Sequence, residues 1–389
     1  MRYFEHFPAS TTRSLFSRLP GELDSTSAPA VTGATFGATL YMPGSRPQLP
    51  ADLAKQRRRG LLTAVVDFED SLPRAQHEGS CGRAIALIDE LSAHDEPIPR
   101  LFLRMRTPGD LHAVADALTP AAPITGFVFP KFEPLGNGSL YLDALDLASE
   151  RLGRQALGMP ILESAAFAYR ESRPHNLDAL IDLVGRRPDG IACIRIGGTD
   201  LASAFGLRRA GDSTIYEIRV VADVISDIVN AFVRPGGASL PVSAPVWEHF
   251  SARDRIMKPQ LRETPFVRRD ASAIRSQLVG TGLDTLVGEI TLDKLNGLTG
   301  KTVIHPSHVG LVHALSVVTH EEYSDAASII AREQDGGVSL SPAGNKMNEV
   351  LPHVGWARRV LARAEAFGVA QPEVDFVDFL VASDEAMPA

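Results

Sequence analysis

The chain has 389 residues, and its 39 Lys and Arg against 47 Asp and Glu give a formal net charge of −8. This acidity argues against the clustered basic surface that binds nucleic acid or an anionic membrane, so neither is an expected partner, although a local basic pocket can still hold a small anion. A hydrophobic content of 44% with only two cysteines, Cys81 and Cys193, and no apolar run of roughly 20 residues predict a globular cytoplasmic protein without a disulfide framework.

Residues 1–36 are the first predicted region, an irregular leader rich in Ser, Thr, Pro and Gly. From Gly37 onward, short apolar runs alternate with longer amphipathic stretches, which is the pattern of a parallel sheet with crossover helices. The runs that we predict to be strands are residues 38–42, 62–67, 100–105, 126–130, 158–162, 190–196, 238–242 and 301–304.

Helical periodicity fills most of the intervals between these runs, with clear examples at residues 81–93, 140–152 and 215–233. Alternation of eight strands with helices predicts a (β/α)8 TIM barrel. Its usual length of about 250 residues fits residues 37–320 once an insertion is allowed at about 243–269. A C-terminal helical extension is predicted for residues 321–389. The competing fold is a doubly wound open sheet, but no G-x-G-x-x-G motif after the first strand supports it.

Polar residues stand at the ends of five predicted strands, where barrel enzymes place their catalytic groups. Side chains two residues apart along a strand share a face. Arg104 and Arg106 are therefore expected to point the same way, and so are Asp67 and Glu69. If these faces look into the barrel, one mouth of the barrel collects both acids and bases.

Two carboxylates, Glu163 and Asp200, follow adjacent predicted strands and would form a site suited to Mg²⁺, which takes its remaining ligands from water or substrate oxygens. Arg104 has the planar fork that binds a carboxylate. Each residue also has a simpler interpretation. In that interpretation Asp200 only caps the helix that begins near Leu201, Asp67 and Arg104 form a structural ion pair, and Lys131 is a solvated surface group.

Seven short motifs follow one another along the chain. In chain order they are Tyr41-Met42-Pro43-Gly44-Ser45-Arg46-Pro47, Asp67-Phe68-Glu69-Asp70, Leu103-Arg104, Pro130-Lys131, Leu162-Glu163-Ser164-Ala165, Gly198-Thr199-Asp200-Leu201-Ala202 and Gly300-Lys301-x-x-Ile304-His305-Pro306-Ser307. With these motifs the chain resembles the HpcH/HpaI aldolase and citrate lyase β-subunit family from about residue 37 to residue 367. It resembles more closely a divergent branch of that family, carbon–carbon bond lyases associated with tellurium-resistance-type gene clusters.

The resemblance implies a TIM-barrel lyase or aldolase that breaks or makes a carbon–carbon bond beside a carbonyl through an enolate. It implies that Glu163 and Asp200 bind Mg²⁺ or Mn²⁺, that Arg104 holds the carboxylate or carbonyl end of the substrate, and that Lys131 adds positive charge near the enolate. The acidic residues implied to orient Arg104 or a metal-bound water are Asp67, Glu69 and Asp70.

Three departures from the family pattern bear on the substrate. Gly37-Ala38-Thr39 replaces an Arg-Ser pair, Arg106 replaces an asparagine, and Arg195 lies in a segment that is usually apolar. Our hypothesis is that Arg106 and Arg195 bind an additional anionic group, most simply a phosphate, next to Gly198 and Thr199 of the substrate-binding motif. The alternative is that both arginines pair with neighbouring acids in a structural network.

The expected substrate is a small molecule that bears a carboxylate or carbonyl, as a phosphorylated acid or a coenzyme A thioester, and a homo-oligomer is the expected assembly. Two other functions stay open at this point. One is a phosphoenolpyruvate-handling Mg²⁺ enzyme with a similar barrel, and the other is a non-catalytic barrel that serves as a binding subunit.

Overall fold

The computed structural model of the chain describes residues 1–23, 29–234, 236, 238–250, 274 and 283–386. These residues belong to two compact units, one with residues 1–23 and 310–386 and the other with residues from 29 to 250 and 283–309. None of the helices in these ranges has both the length and the apolar character that crossing a membrane requires.

The strands of the described residues are β1 (Phe16–Arg18), β2 (Ala38–Pro43), β3 (Thr63–Asp67), β4 (Arg100–Arg104), β5 (Gly126–Phe129), β6 (Leu157–Leu162), β7 (Ile194–Ile196), β8 (Val242–Trp247), β9 (Thr299–Val303), β10 (Val338–Leu340), β11 (Met347–Glu349) and β12 (Val369–Ala370). Eight of them form a closed barrel of parallel strands in the larger unit, in the order β2-β3-β4-β5-β6-β7-β8-β9, with β9 paired to β2. This arrangement confirms the predicted (β/α)8 TIM barrel.

Helices follow the strands as the amphipathic windows predicted, and two further long helices lie after the barrel. The helices of the described residues are α1 (Ala9–Leu15), α2 (Pro29–Ala34), α3 (Leu49–Arg58), α4 (Ser80–Ser92), α5 (Pro108–Asp116), α6 (Gly138–Leu152), α7 (Ala165–Ala168), α8 (Arg173–Gly185), α9 (Gly198–Ser203), α10 (Arg219–Phe232), α11 (Leu283–Leu295), α12 (Ser307–Ser316), α13 (His320–Ala331), α14 (Val350–Phe367) and α15 (Phe376–Glu385).

The barrel interior is filled by apolar side chains from strands on opposite sides, because Val65 of β3 and Met159 of β6 belong to one buried cluster with Cys193, which directly precedes β7. Side chains two residues further along a strand face the same interior. Glu163 follows Ile161 of this cluster by two residues, and Arg195 follows Cys193 in the same way. The predicted alternation therefore places both polar side chains above the apolar core, towards the carboxyl ends of the strands.

The predicted boundaries around the insertion differ from the structure. The seventh barrel strand is Val242–Trp247 and not residues 238–242, so the insertion expected from residue 243 was placed too early. Pro245 within this run favoured a loop, but Val242, Ala244 and Trp247 are fully buried and the pairing of β8 with β9 accommodates irregular register. The remaining part of that insertion, residues 251–269, lies outside the described residues.

The predicted irregular leader, residues 1–36, contains regular structure. It includes α1, β1 and α2, and β1 pairs antiparallel with β12. The reason lies in its aromatic residues: Tyr3, Phe4 and Phe16 are each less than 5% exposed, and burying side chains of this size strongly favours an ordered segment.

His313 of α12 is a buried packing residue of the smaller unit. Its ring lies 4.8 Å from the ring of Tyr3 and 6.4 Å from that of Phe4, centroid to centroid. Burial lowers the pKa of His313 to about 3, because a charged imidazole in an apolar cluster loses its hydration.

This depressed pKa predicts a pH dependence of stability. The folded state resists protonation of His313 while the unfolded state binds a proton below its usual pKa of about 6.5, so the stability that His313 contributes is lost as pH falls from about 6.5 towards 3. His313→Phe should remove about 2 kcal/mol of the loss in unfolding free energy between pH 7 and pH 5. Denaturant titrations at the two pH values measure it. The exposed His320→Gln should leave the loss unchanged, and an unchanged loss in His313→Phe would contradict the prediction.

Candidate active site

A cavity of about 220 Å³ opens among the carboxyl ends of the barrel strands in the larger unit. It brings together most of the polar residues that the strand ends predicted, although those residues lie far apart in the sequence. The lining residues are Tyr41, Asp70, Arg104, Ile161, Glu163, Arg195, Ile196, Gly197, Gly198, Thr199, Asp200, Val246, Thr302 and Ile304.

Arg104, the last residue of β4, is held in place by acids of the neighbouring strand end. Its Nε and Nη2 donate to the two carboxylate oxygens of Asp67, each at 2.7 Å, and its Nη1 lies 3.2 Å from Glu69 Oε2. Burial lowers the pKa of Arg104, but pairing with Asp67 outweighs burial and raises that pKa above its ordinary value. Asp67 and Glu69 do not line the cavity. They lie behind Arg104 and orient it, so the ion pair considered as an alternative is present.

Lys131 contributes to the site through its backbone. Its main-chain N–H donates to Glu163 Oε1 at 2.8 Å, while its Nζ contacts Glu69 and lies 3.3 Å from Asp70 Oδ1. The residue has a left-handed φ of 47°, which a non-glycine residue adopts only with some strain. Its side chain is half exposed and does not line the cavity. Lys131 therefore contacts Glu163 through its backbone, and Glu69 and Asp70 through its side chain.

Glu163 and Asp200 lie in the wall of the same cavity and repel each other. Glu163 is only 4% exposed, and burial together with the negative charge of Asp200 raises the pKa of Glu163 to about 8. Asp200 lies in the first turn of α9, after Gly197. A methyl group on Gly197 would lie 2.3 Å from Glu163 Oε2, so a glycine is required for the carboxylate to approach the backbone this closely.

The donor set fits a hard divalent cation that keeps part of its hydration. Two carboxylates of like charge, one of them buried, gain from a cation between them, because the cation offsets both the repulsion and the lost hydration. The described residues hold no cluster of three or more His, Cys, Asp or Glu side chains able to bind a metal. A pair of carboxylates leaves coordination positions for water or substrate oxygens, as Mg²⁺ sites commonly do.

The structure separates the two arginines that depart from the family pattern. β4 ends at Arg104, so Arg106 lies beyond the pleated segment, is exposed, and has its Nη1 3.4 Å from His77 Nδ1. The expected shared face of Arg104 and Arg106 is wrong for this reason, and Arg106 does not line the cavity. Arg195 does line it and is 1% exposed.

The glycine-threonine segment at the start of α9 lines the cavity directly before Asp200. Gly198 is buried against Pro245, where an added methyl group would lie 3.1 Å from the proline Cβ. Thr199 is exposed and its hydroxyl donates to Glu248 Oε1 at 2.6 Å. Both residues line the cavity, as expected.

Sequence comparison agrees with this geometry. The profile of a family described as a C-C bond lyase of the TIM-barrel fold matches residues 30–369. The chain belongs to this C-C bond lyase family. Membership confirms the predicted enzyme class, a carbon–carbon lyase on a TIM barrel. The predicted link to tellurium-resistance-type gene clusters stays a prediction. Comparison with curated proteins gives no significant match.

Two solved structures have a fold similar to that of this C-C bond lyase family member. The CitE protein of Mycobacterium tuberculosis, in complex with magnesium, acetoacetate and coenzyme A, is 18% identical with a TM-score of 0.53, covering 85% of this chain and 99% of that one. A citrate lyase from Burkholderia xenovorans LB400 is 16% identical with a TM-score of 0.56, covering 88% of this chain and 96% of that one. At these identities, the likeness concerns the fold.

Two residues that line the C-C bond lyase cavity, Tyr41 and Thr302, were not predicted as site residues. Tyr41 of β2 has Arg104 at 5.5 Å and Arg195 at 5.6 Å from its ring centroid, and both contacts are cation–π interactions. Thr302 of β9 contacts Arg195 through its hydroxyl. The only available signal was a polar group inside an apolar run, because side chains two residues apart share the interior face.

Proposed function

We propose that this chain is a Mg²⁺-dependent lyase that cleaves or forms a carbon–carbon bond next to a carbonyl of a small acid. The observation that carries the proposal is the pair Glu163 and Asp200, two carboxylates in one cavity wall with the pKa of Glu163 raised to about 8. The CitE structure from Mycobacterium tuberculosis carries magnesium, which supports Mg²⁺ as the ion at this pair.

Mg²⁺ held by Glu163 and Asp200 would supply positive charge for the oxygen on which negative charge develops as the bond breaks. The protein positions both ligands. The N–H of Lys131 fixes one carboxylate oxygen of Glu163, and the absence of a side chain at Gly197 leaves room for the other. Asp200 is carried by the first turn of α9.

Arg104 would bind the carboxylate or carbonyl end of the substrate. A guanidinium has five N–H donors, and the contacts of Arg104 with Asp67 and Glu69 use three of its nitrogens once each. Each Nη atom therefore keeps one further N–H for a ligand in the cavity. Since Asp67 holds the guanidinium at two points, little side-chain entropy is lost when substrate binds.

Titration calorimetry with MgCl₂ tests the metal site directly. Glu163→Gln and Asp200→Asn each remove a charged oxygen ligand with almost no change in volume, so each should weaken Mg²⁺ binding sharply, by about tenfold or more, and abolish lyase activity. Glu133→Gln is the matched control, because Glu133 follows the neighbouring strand end and does not line the cavity.

Circular dichroism spectra should be unchanged in all three variants, since none of the substitutions alters packing volume. If wild-type affinity for Mg²⁺ persists in both Glu163→Gln and Asp200→Asn, the metal assignment is wrong. If only the Glu133→Gln control loses binding, the site lies elsewhere in the chain.

A further inference from the structure

Arg195 is a buried cation without an acidic partner. It is 1% exposed, and its Nη1 lies 3.5 Å from Thr39 Oγ1 and 3.7 Å from Met159 Sδ, while its Nη2 donates to Thr302 Oγ1. Its Nε is buried with no hydrogen-bond partner. Among the residues described here, no carboxylate lies within ion-pair distance of Arg195.

Several other buried cations of the larger unit have acidic partners. Arg104 is paired with Asp67, and Arg209 and Lys301 are paired with Glu289 at 2.6 and 2.9 Å. A guanidinium stays charged at any physiological pH, and a buried charge without a counter-ion is strongly unfavourable. Neutral hydroxyls, a thioether and an aromatic ring offset only part of that cost.

The position of Arg195 makes this charge available to a ligand. Arg195 lines the cavity, and it pairs in register with Ile161, two residues before Glu163. Its backbone therefore lies roughly 6–7 Å deeper in the barrel than that of Glu163 along the neighbouring strand. Its guanidinium reaches Thr39, which lies near the start of β2 and therefore deep in the barrel.

The hydroxyl of Thr302 adds a second donor. It accepts a hydrogen bond from Arg195, so its own proton remains free to donate, since a hydroxyl both donates and accepts. Thr302 also lines the cavity. Together, the guanidinium and this hydroxyl present the donors that an oxyanion requires.

We propose that Arg195 and Thr302 form an oxyanion subsite at the floor of the cavity, which binds a carboxylate or phosphate group of the substrate. Anion binding by the subsite is independent of the metal, but the substrate orientation that follows from it rests on the proposed function. The substrate is then a small acid that enters with its anionic end first and leaves its carbonyl oxygens near Glu163 and Asp200 at the mouth. Arg106, exposed and beside His77, has no part in the subsite.

Thermal unfolding in metal-free buffer tests the subsite without the metal. Sodium acetate, sodium phosphate and sodium chloride are compared at equal ionic strength. Acetate or phosphate should raise the midpoint of the wild type above its value in chloride, and Arg195→Met should abolish that increase, with a loss of affinity of about tenfold or more. Preference for acetate identifies a carboxylate, and preference for phosphate identifies a phosphate.

Three further variants make the result specific. Arg106→Met carries the same charge change and should keep the full response to the anion. Arg195→Lys should retain a weaker response, and Thr302→Val should reduce it, which keeps the test decisive if Arg195→Met fails to fold. In chloride, Arg195→Met should unfold at the same temperature as the wild type or higher, because it removes an unpaired buried charge at similar volume.

The subsite is refuted if neither anion raises the wild-type midpoint, or if Arg106→Met loses the response as completely as Arg195→Met. Arg195→Met should still bind MgCl₂ in calorimetry, because Glu163 and Asp200 are intact. A wild type that binds Mg²⁺ but shows no anion response overturns the subsite alone. A wild type that shows the anion response but does not bind Mg²⁺ overturns the metal assignment alone.

Discussion

Replacing Lys301 with Met should destabilise the protein by about 3–5 kcal/mol at pH 7, the usual cost of breaking a buried ion pair from one side. Lys301 of β9 is 1% exposed, and its Nζ lies 2.9 Å from Glu289 Oε1 and 2.7 Å from Asp293 Oδ2. Arg209 and the hydroxyl of Tyr216 complete the network. Two cations then balance two carboxylates, and the substitution leaves one carboxylate in excess.

The loss should depend on pH in a defined direction. Burial raises the pKa of Asp293 to about 6, even though Lys301 opposes the shift. Since this folded pKa lies above the unfolded value of about 3.9, ionisation of Asp293 already costs stability as pH rises through this interval. Without Lys301 the pKa rises further, so the deficit of Lys301→Met should be larger at pH 8 than at pH 5.

Denaturant titration at the two pH values gives the measurement. Lys55→Met makes the same charge change at an exposed position and should alter the unfolding free energy by less than about 0.5 kcal/mol. Adding Asp293→Asn to Lys301→Met should recover part of the loss, because it removes the carboxylate left in excess. A Lys301→Met variant as stable as the wild type would mean that the network contributes nothing.

The fold was largely predictable because barrel strands are short apolar runs and their helices are amphipathic. Where the prediction failed, a local signal competed with burial. Pro245 favoured a loop, yet the strand Val242–Trp247 continues through it because its neighbours are buried. The aromatic residues of the N-terminal segment have no periodicity, so the order that their burial imposes was not visible in the sequence.

The direction of a site side chain was predictable where it depends on strand alternation. It was not predictable where it depends on the residue at which a strand ends or on the backbone conformation of a turn. Alternation placed Glu163 and Arg195 in the interior, as the structure shows. It misplaced Arg106, because β4 ends two residues earlier. The backbone contact of Lys131 with Glu163 depends on a left-handed φ. Glycine signals such a conformation in a sequence, but lysine does not.

Gly197→Ala adds a single methyl group, yet it should strongly weaken Mg²⁺ binding at the proposed metal site. The new methyl carbon would lie 2.3 Å from both Cβ and Oε2 of Glu163, a distance that forces the side chain to move. Glu163 has little room, because the N–H of Lys131 holds its other oxygen at 2.8 Å and the residue is 4% exposed. Overpacking of this kind costs about 1–3 kcal/mol of stability.

A displacement of about 1 Å at a catalytic ligand is expected to lower activity on the order of a hundredfold, and Mg²⁺ affinity should fall with it. The backbone itself is not the obstacle, since residue 197 has a φ of −89° that alanine adopts freely. Gly82→Ala is the control: it lies within α4 with no atom in reach of the new methyl, and it should stabilise the protein by about 0.5–1 kcal/mol. Calorimetric Mg²⁺ titration and thermal unfolding of both variants decide the matter. If Gly197→Ala binds Mg²⁺ as tightly as the wild type, Glu163 does not hold the metal in the position that the structure shows.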